Sequence, residues 1–146
     1  MGAEEAVAAA SGGDWEFYRD ERGVSAVKIE IAAAGTSLQT RMMILAEVKD
    51  LMRAATRGEL KPHLDIKHIQ RNPWIFELRW RLGGDGVVQL QLWRLYFGWH
   101  SDRGPLRLAL KFGNKPVGPS GPAVQDAHID EAWERYRTWL ARTTAR

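Results

Sequence analysis

Two arginines and a tyrosine stand at positions where an antiparallel sheet would bring them together. Arg79 lies in one run of alternating residues, and Arg94 and Tyr96 lie in the next run along the chain. Residues that face each other on antiparallel strands are neighbours, and residues two apart on one strand share a face. A guanidinium group binds phosphate through two hydrogen bonds, and a tyrosine ring can stack on a base. The three residues therefore predict a site for the backbone of RNA.

Further cations extend this region of the sequence. Lys111 and Lys115 come from the end of the following strand and its loop, and Lys67 and His68 precede the strand that carries Arg79. RNA cleavage without a metal ion needs a base for the 2′-hydroxyl, cations for the charge that develops on the phosphate, and an acid for the leaving 5′-oxygen. Lysine, tyrosine, histidine and glutamate can move protons, whereas arginine stays protonated and suits charge stabilisation. These residue types could therefore bind RNA or cleave it.

A structural explanation stands beside the functional one. Arginines on a strand face are often solvated or paired with carboxylates, and Glu77 is an obvious partner for either arginine. Tyr96 could equally be the edge of a core. The four histidines lack the spacing of metal ligands, cysteine is absent, and there is no glycine-rich phosphate loop. We therefore expect neither a metal nor a cofactor.

Length and composition predict one globular domain. The chain has 146 residues, 45% of them hydrophobic, and a formal net charge of +3. No run reaches the roughly 18 apolar residues that a membrane-spanning helix needs. Residues 1–13 are rich in alanine, serine and glycine, so we expect a disordered leader before a domain over 14–146. The absence of a secretory signal and of cysteine predicts a cytoplasmic protein without a membrane partner.

The pattern of apolar residues predicts the elements that position these side chains. Alternation predicts strands over 15–18, 74–82, 87–99 and 106–112, and helical spacing predicts helices over 36–57 and 123–142. Residues 24–34 fit either a strand or a helix, and residues 60–72 look like a polar linker. In the strand over 87–99 the polarity changes sides near Leu92 and Trp93, which indicates a bulge or burial of both faces.

The first long helix has an unusually wide apolar surface. Ile44, Val48, Leu51 and Ala55 form one stripe, and Leu38, Met42, Leu45 and Met52 broaden it. This width predicts that the helix lies on a sheet with other elements against its flanks. The predicted fold class is α+β: a small, mainly antiparallel sheet, made of a three-strand C-terminal meander and an N-terminal strand, between an N-terminal helical segment and a C-terminal helix.

The order of short motifs resembles the HigB-type toxins of the RelE superfamily, including their phage-derived branch. The segment 15–23 is similar to their opening strand and turn, and 74–79 to their strand "Tyr-x-Glu-Leu-Arg". The segment 93–97 is similar to "Tyr-Arg-Leu-x-Tyr/Phe", and 129–135 to the closing helix. The segment 108–115 is similar to a strand that ends in "Phe-x-Lys-Lys", with Asn114 in place of the first lysine.

The resemblance implies a toxin of a type II toxin–antitoxin pair that cleaves mRNA on the ribosome without a metal and is blocked by a helix-turn-helix antitoxin. It implies that Arg79 and Arg94 hold or neutralise the scissile phosphate, and that Tyr96 stacks or assists proton transfer. The expected catalytic residues are Arg79, Arg94, Tyr96 and Lys115, and the expected RNA-binding residues are Lys67, His68 and Lys111. A non-catalytic RNA-binding or protein-binding module on the same fold is the alternative.

Overall fold

A five-stranded mixed sheet forms the centre of the protein. The computed structural model describes residues 14–35, 37–61, 65–84, 88–99, 106–116 and 118–144, so the expected leader lies outside the described residues. The strands are β1 (Trp15–Phe17), β2 (Ile66–His68), β3 (Ile75–Gly84), β4 (Val88–Gly98) and β5 (Arg107–Lys115). Their order across the sheet is β1-β5-β4-β3-β2; β1 pairs with β5 in parallel, and the other neighbours are antiparallel.

Three helices pack on this sheet: α1 (Ala26–Ala32), α2 (Leu38–Thr56) and α3 (Gly121–Thr144). Ser25 and Ser37 cap α1 and α2, since each side chain accepts a hydrogen bond from a backbone amide three residues later. Beyond the end of α2, Gly58 has a φ of 71°, a conformation that glycine adopts without strain. The local caps therefore explain where both helices begin and where α2 ends.

The α+β class and the C-terminal meander are confirmed, but the sheet has more strands than expected. The predicted linker over 60–72 contains β2, which pairs with β3. Three residues are too few for an alternating pattern to indicate a strand in the sequence. The segment is recognised as a strand only because it pairs with β3. The segment 24–34, which fitted either element, contains α1, because Ser25 caps it and Val27 and Ile31 are buried on one side.

The helices cover the two faces of the sheet. One core joins α1 and α2 to Phe76, Leu78, Leu95 and Phe97, and the other joins α3 to Ile75, Tyr96, Leu108 and Leu110. Trp93, Leu95 and Phe97 of β4 therefore point into the core under α1 and α2, whereas Tyr96 points into the core under α3. Burial of both faces therefore holds for this part of the strand. A register shift between Val88 and Gln91, where β4 has one residue more than β3, is also consistent with the predicted bulge.

Candidate nucleic-acid interface

The sheet register brings the predicted residues into two adjacent rows on the face that α3 covers. Arg79 of β3 lies opposite Arg94 of β4, as expected from the sequence. Glu77 lies opposite Tyr96 in the next row, and Lys67 of β2 lies opposite Glu77. Two guanidinium groups, one carboxylate, one phenol and one ammonium group therefore share a small area of the sheet.

Glu77 is the centre of this group. Its Oε2 lies 3.6 Å from the Nε of Arg94, and its Oε1 lies 3.9 Å from the Nε of Arg79. Gln125 of α3 donates a hydrogen bond of 3.0 Å to Oε2. Burial raises the pKa of the Glu77 carboxyl, although the positive charges of Arg94, Arg79 and Lys67 act against this. A buried carboxylate with a raised pKa between two arginines is a typical feature of functional sites, and it also occurs in structural ion pairs.

The RNA site predicted from the sequence needs an accessible Arg94 and an accessible Tyr96, but neither is open to solvent. Arg94 is 4% exposed and Tyr96 is fully buried, because the first half of α3 lies over them. Burial raises the pKa of Tyr96, and the charge of Glu77 adds to this effect. Tyr96 therefore cannot stack on a base with α3 in this position, and its phenol keeps its proton at neutral pH.

Lys111 does not point to solvent either. Its Nζ lies 2.9 Å from carboxylate oxygens of both Glu30 and Glu131. Arg135 joins the same cluster through Glu30, and Glu30 also accepts a hydrogen bond from the backbone amide of Phe112. The cluster covers the edge of β5 past its pairing with β1, where no described strand pairs with β5. Lys111 is therefore held in an ion-pair cluster instead of pointing to solvent, and its predicted role in RNA binding stays a prediction.

His68 lies on the opposite face from Lys67. It pairs in register with Phe76, its ring lies 5.0 Å from the Phe76 ring, and its Nε2 lies 2.8 Å from the backbone oxygen of Pro73. Because neighbouring strand residues point to opposite faces, His68 cannot join Arg79 on the α3 side. Its predicted place in the RNA-binding group is wrong.

Lys67, Arg79 and Lys115 are the predicted cations that stay accessible. Lys67 is exposed, and the side chain of Arg79 is 26% exposed. Lys115 is half-buried. It lies opposite Leu92, which is two residues from Arg94 on β4. Its side chain passes the first residue of α3, with Cε 3.6 Å from the position that a Cβ of Gly121 would take. All three cations lie next to the covered group in the sheet register, and Lys115 also lies beside the first residue of α3.

Two residues of α3 that the sequence did not single out complete the group. Gln125 contacts Glu77, and His128 lies over Gly113, which is opposite Arg94 in the register. Burial lowers the pKa of His128, and the charge of Lys111 adds to this effect, so its imidazole is neutral at neutral pH. Both residues fall one helical turn before the buried Ile129 and Ala132, and this spacing is the signal that could have found them.

Comparisons of the chain with protein-family models, with characterised proteins and with solved structures find no match. The resemblance to RelE and HigB toxins therefore stays a prediction. Within the described residues, no three histidine, aspartate or glutamate side chains gather as metal ligands would. None of the described helices is both long and apolar enough to span a membrane.

Proposed function

We propose that this protein is the toxin of a type II toxin–antitoxin pair, and that it cleaves mRNA on the ribosome without a metal ion. A cognate helix-turn-helix antitoxin would be its partner. The observation that carries the proposal is the position of Glu77. Its carboxylate lies 3.6 Å and 3.9 Å from two arginines on adjacent strands, one of which reaches solvent.

The residues of the group suit the steps of RNA cleavage. Glu77 would accept the proton of the 2′-hydroxyl, since it is the carboxylate that lies nearest to both arginines. The 2′-oxygen would then attack phosphorus, the bond to the 5′-oxygen would break, and a 2′,3′-cyclic phosphate and a 5′-hydroxyl would remain. Arg79 and Arg94 would stabilise the negative charge on the phosphate oxygens. The phenol of Tyr96, which holds its proton, would supply one to the leaving oxygen.

The burial of the group adds a requirement to the proposal. Glu77, Arg94 and Tyr96 meet RNA only when the start of α3, which carries Gln125 and His128, moves off the sheet. RNA would first bind Lys67, Arg79 and Lys115, which border the covered group. Cleavage therefore depends on a conformational step that binding does not need.

A second candidate function is favoured by the burial of Arg94 and Tyr96 itself. If α3 stays in place, RNA contacts only the bordering cations, and the protein is a non-catalytic RNA-binding module. Such a module would bind RNA with an affinity that falls as salt rises, and it would release no product.

Expression in a bacterium tests the proposal. We expect growth arrest, with RNA fragments that end in 2′,3′-cyclic phosphates, and the same fragments from purified protein and ribosomes in the presence of a chelator. Arg79→Ala and Glu77→Gln should relieve the arrest, provided that thermal unfolding shows both variants to be folded. Arg22→Ala is the matched control, because Arg22 is exposed in the turn after β1, at the other edge of the sheet from β2.

The outcomes separate the two candidates. Salt-sensitive RNA binding without cleavage, even on ribosomes, would leave the non-catalytic module and overturn the nuclease. Wild-type protein that neither arrests growth nor binds RNA would overturn both.

A further inference from the structure

A hydrophobic groove of about 790 Å³ lies between β1, α1 and α2. Its apolar lining includes Phe17, Ile31, Leu38, Met42 and Leu45. The last three are spaced four and three residues apart, so they form one stripe along α2. Leu38 is 73% exposed and Met42 is 63% exposed. An exposed apolar surface of this kind indicates a place where another molecule binds.

The sequence predicts that this stripe is covered. The wide apolar surface of α2 indicated packing elements on both flanks of the helix. Ile44, Val48 and Ala55 are buried as expected and Leu51 is partly buried, but Leu38, Met42 and Leu45 stay exposed. The described part of the chain therefore covers one side of this surface and leaves the other side open.

The charges around the groove define what can cover it. Among the described residues, the charged side chains that line it are basic: Lys28, Arg41, Lys49 and Arg53, the last of which also pairs with Asp50 outside the lining. Lys28 also lies over the ring of Phe17, with Nζ 5.2 Å from the ring centre. A basic border around an apolar floor selects an occupant with acidic flanks and an apolar centre.

The shape of the groove favours a helix as the occupant. Its lining on α2 runs from Leu38 to Arg53, which is about 22 Å at the rise of an α-helix. Peptide helices bind such grooves through apolar residues at i, i+3, i+4 and i+7, and methionine side chains adapt to them. We propose that the groove binds an acidic amphipathic helix of a partner protein. This inference does not depend on any action on RNA.

A synthetic peptide pair provides the probe. The first peptide has eighteen residues, with leucines at helical spacing on one face and glutamates along both flanks; its twin has lysine in place of each glutamate. Fluorescence polarisation with the full chain should show binding of the acidic peptide that weakens as salt rises. The basic twin should bind at least about tenfold more weakly, because it meets four like charges.

Matched substitutions locate the binding surface. Met42→Glu should weaken binding of the acidic peptide at least about tenfold, since it places a like charge in the apolar floor. Met43→Glu is the control: Met43 is the next residue of α2, is 48% exposed and does not line the groove, so binding should not change. The double variant Arg41→Glu/Lys49→Glu should reverse the preference toward the basic peptide.

Three results would overturn the proposal. The first is equal binding of the two peptides, or an equal loss in Met42→Glu and Met43→Glu. The second is a dimer in sedimentation velocity that Met42→Glu dissociates, which would assign the groove to a second copy. The third is tighter peptide binding by full-length Glu4→Lys/Glu5→Lys, which would assign the groove to the chain's own first residues.

Discussion

Arg94 of β4 and Glu77 of β3 form an ion pair that α3 shields almost completely from water, with side chains 5% and 2% exposed. Gln125 of α3 donates a hydrogen bond to the same carboxylate oxygen that Arg94 faces. A pair of this kind is costly to bury, and it becomes far more costly when one partner is removed. The pairing that the sequence offered as the structural explanation of Arg94 is therefore present, and it is buried.

The two arginines should therefore differ in their contribution to stability. Arg94→Ala should lower the free energy of unfolding by about 3–5 kcal/mol, because it leaves the Glu77 carboxylate buried without its nearest cation. Arg79→Ala, the matched control, should cost about 1 kcal/mol or less, since Arg79 is farther from Glu77 and partly solvated. Urea denaturation measures both. Equal, small losses in Arg94→Ala and Arg79→Ala would show that Arg94 is accessible, as the predicted RNA site requires.

Glu30 should make the protein sensitive to acid. Burial alone would raise the pKa of Glu30, but hydrogen bonds from Arg135, Lys111 and the Phe112 amide outweigh it, and the pKa lies below its ordinary value of 4.5. A carboxyl whose pKa is lowered by folding adds stability above its unfolded pKa, and that stability is lost as pH falls through the folded pKa.

The wild-type protein should therefore lose stability as the pH falls below about 4.5, and Glu30→Gln should show a shallower loss over the same range. Urea denaturation at a series of pH values measures the difference. Glu16→Gln is a control, because Glu16 is an exposed carboxylate on β1. Parallel pH profiles for wild type and Glu30→Gln would contradict the prediction.

The close approach of α3 to β5 depends on Gly113. A Cβ at this position would lie 2.5 Å from Cε1 of His128, so Gly113→Ala should destabilise the protein by about 1–3 kcal/mol. Removal of the imidazole should relieve the clash. The double variant Gly113→Ala/His128→Ala should therefore lose less stability than the sum of the single variants.

Gly98 offers a matched control for the comparison of the single variants with the double variant. A Cβ at Gly98 would lie 2.6 Å from the ring of Tyr136, farther along the same helix. Gly98→Ala should destabilise the protein in the same way, and His128→Ala should not compensate for it. Additive losses at Gly113 and His128 would show that the two residues do not determine how closely α3 approaches the sheet.

If the protein binds RNA through Lys67, Arg79 and Lys115, the number of these cations should determine how steeply the affinity for RNA falls with salt concentration. Lys67→Ala and Arg79→Ala should each reduce the slope of the logarithm of the association constant against the logarithm of salt concentration by about one. Arg22→Ala should leave the slope unchanged, because Arg22 lies at the opposite edge of the sheet. Filter binding of a single-stranded RNA measures all three. Unchanged slopes for Lys67→Ala and Arg79→Ala would place the RNA elsewhere.

The sequence determined the local structure and much of the sheet register. Ser37 and Gly58 mark the two ends of α2, and the alternation of apolar and polar residues marks the strands that become β3 and β4. Facing arginines on those strands were also predictable, because a hairpin connection fixes which residues meet. Periodicity and capping act over a few residues, so one sequence suffices to reveal them.

The tertiary structure decided what covers each face. Lys111 meets Glu30, which is 81 residues earlier, and Gln125 of α3 meets Glu77, which is 48 residues earlier. Alternation shows that Arg94 and Tyr96 share a face of β4, but it does not show whether water, RNA or a helix lies above that face. Burial of a charged or polar side chain depends on elements that are distant in sequence. For that reason only the packing of α3 could show that these two residues are shielded from solvent.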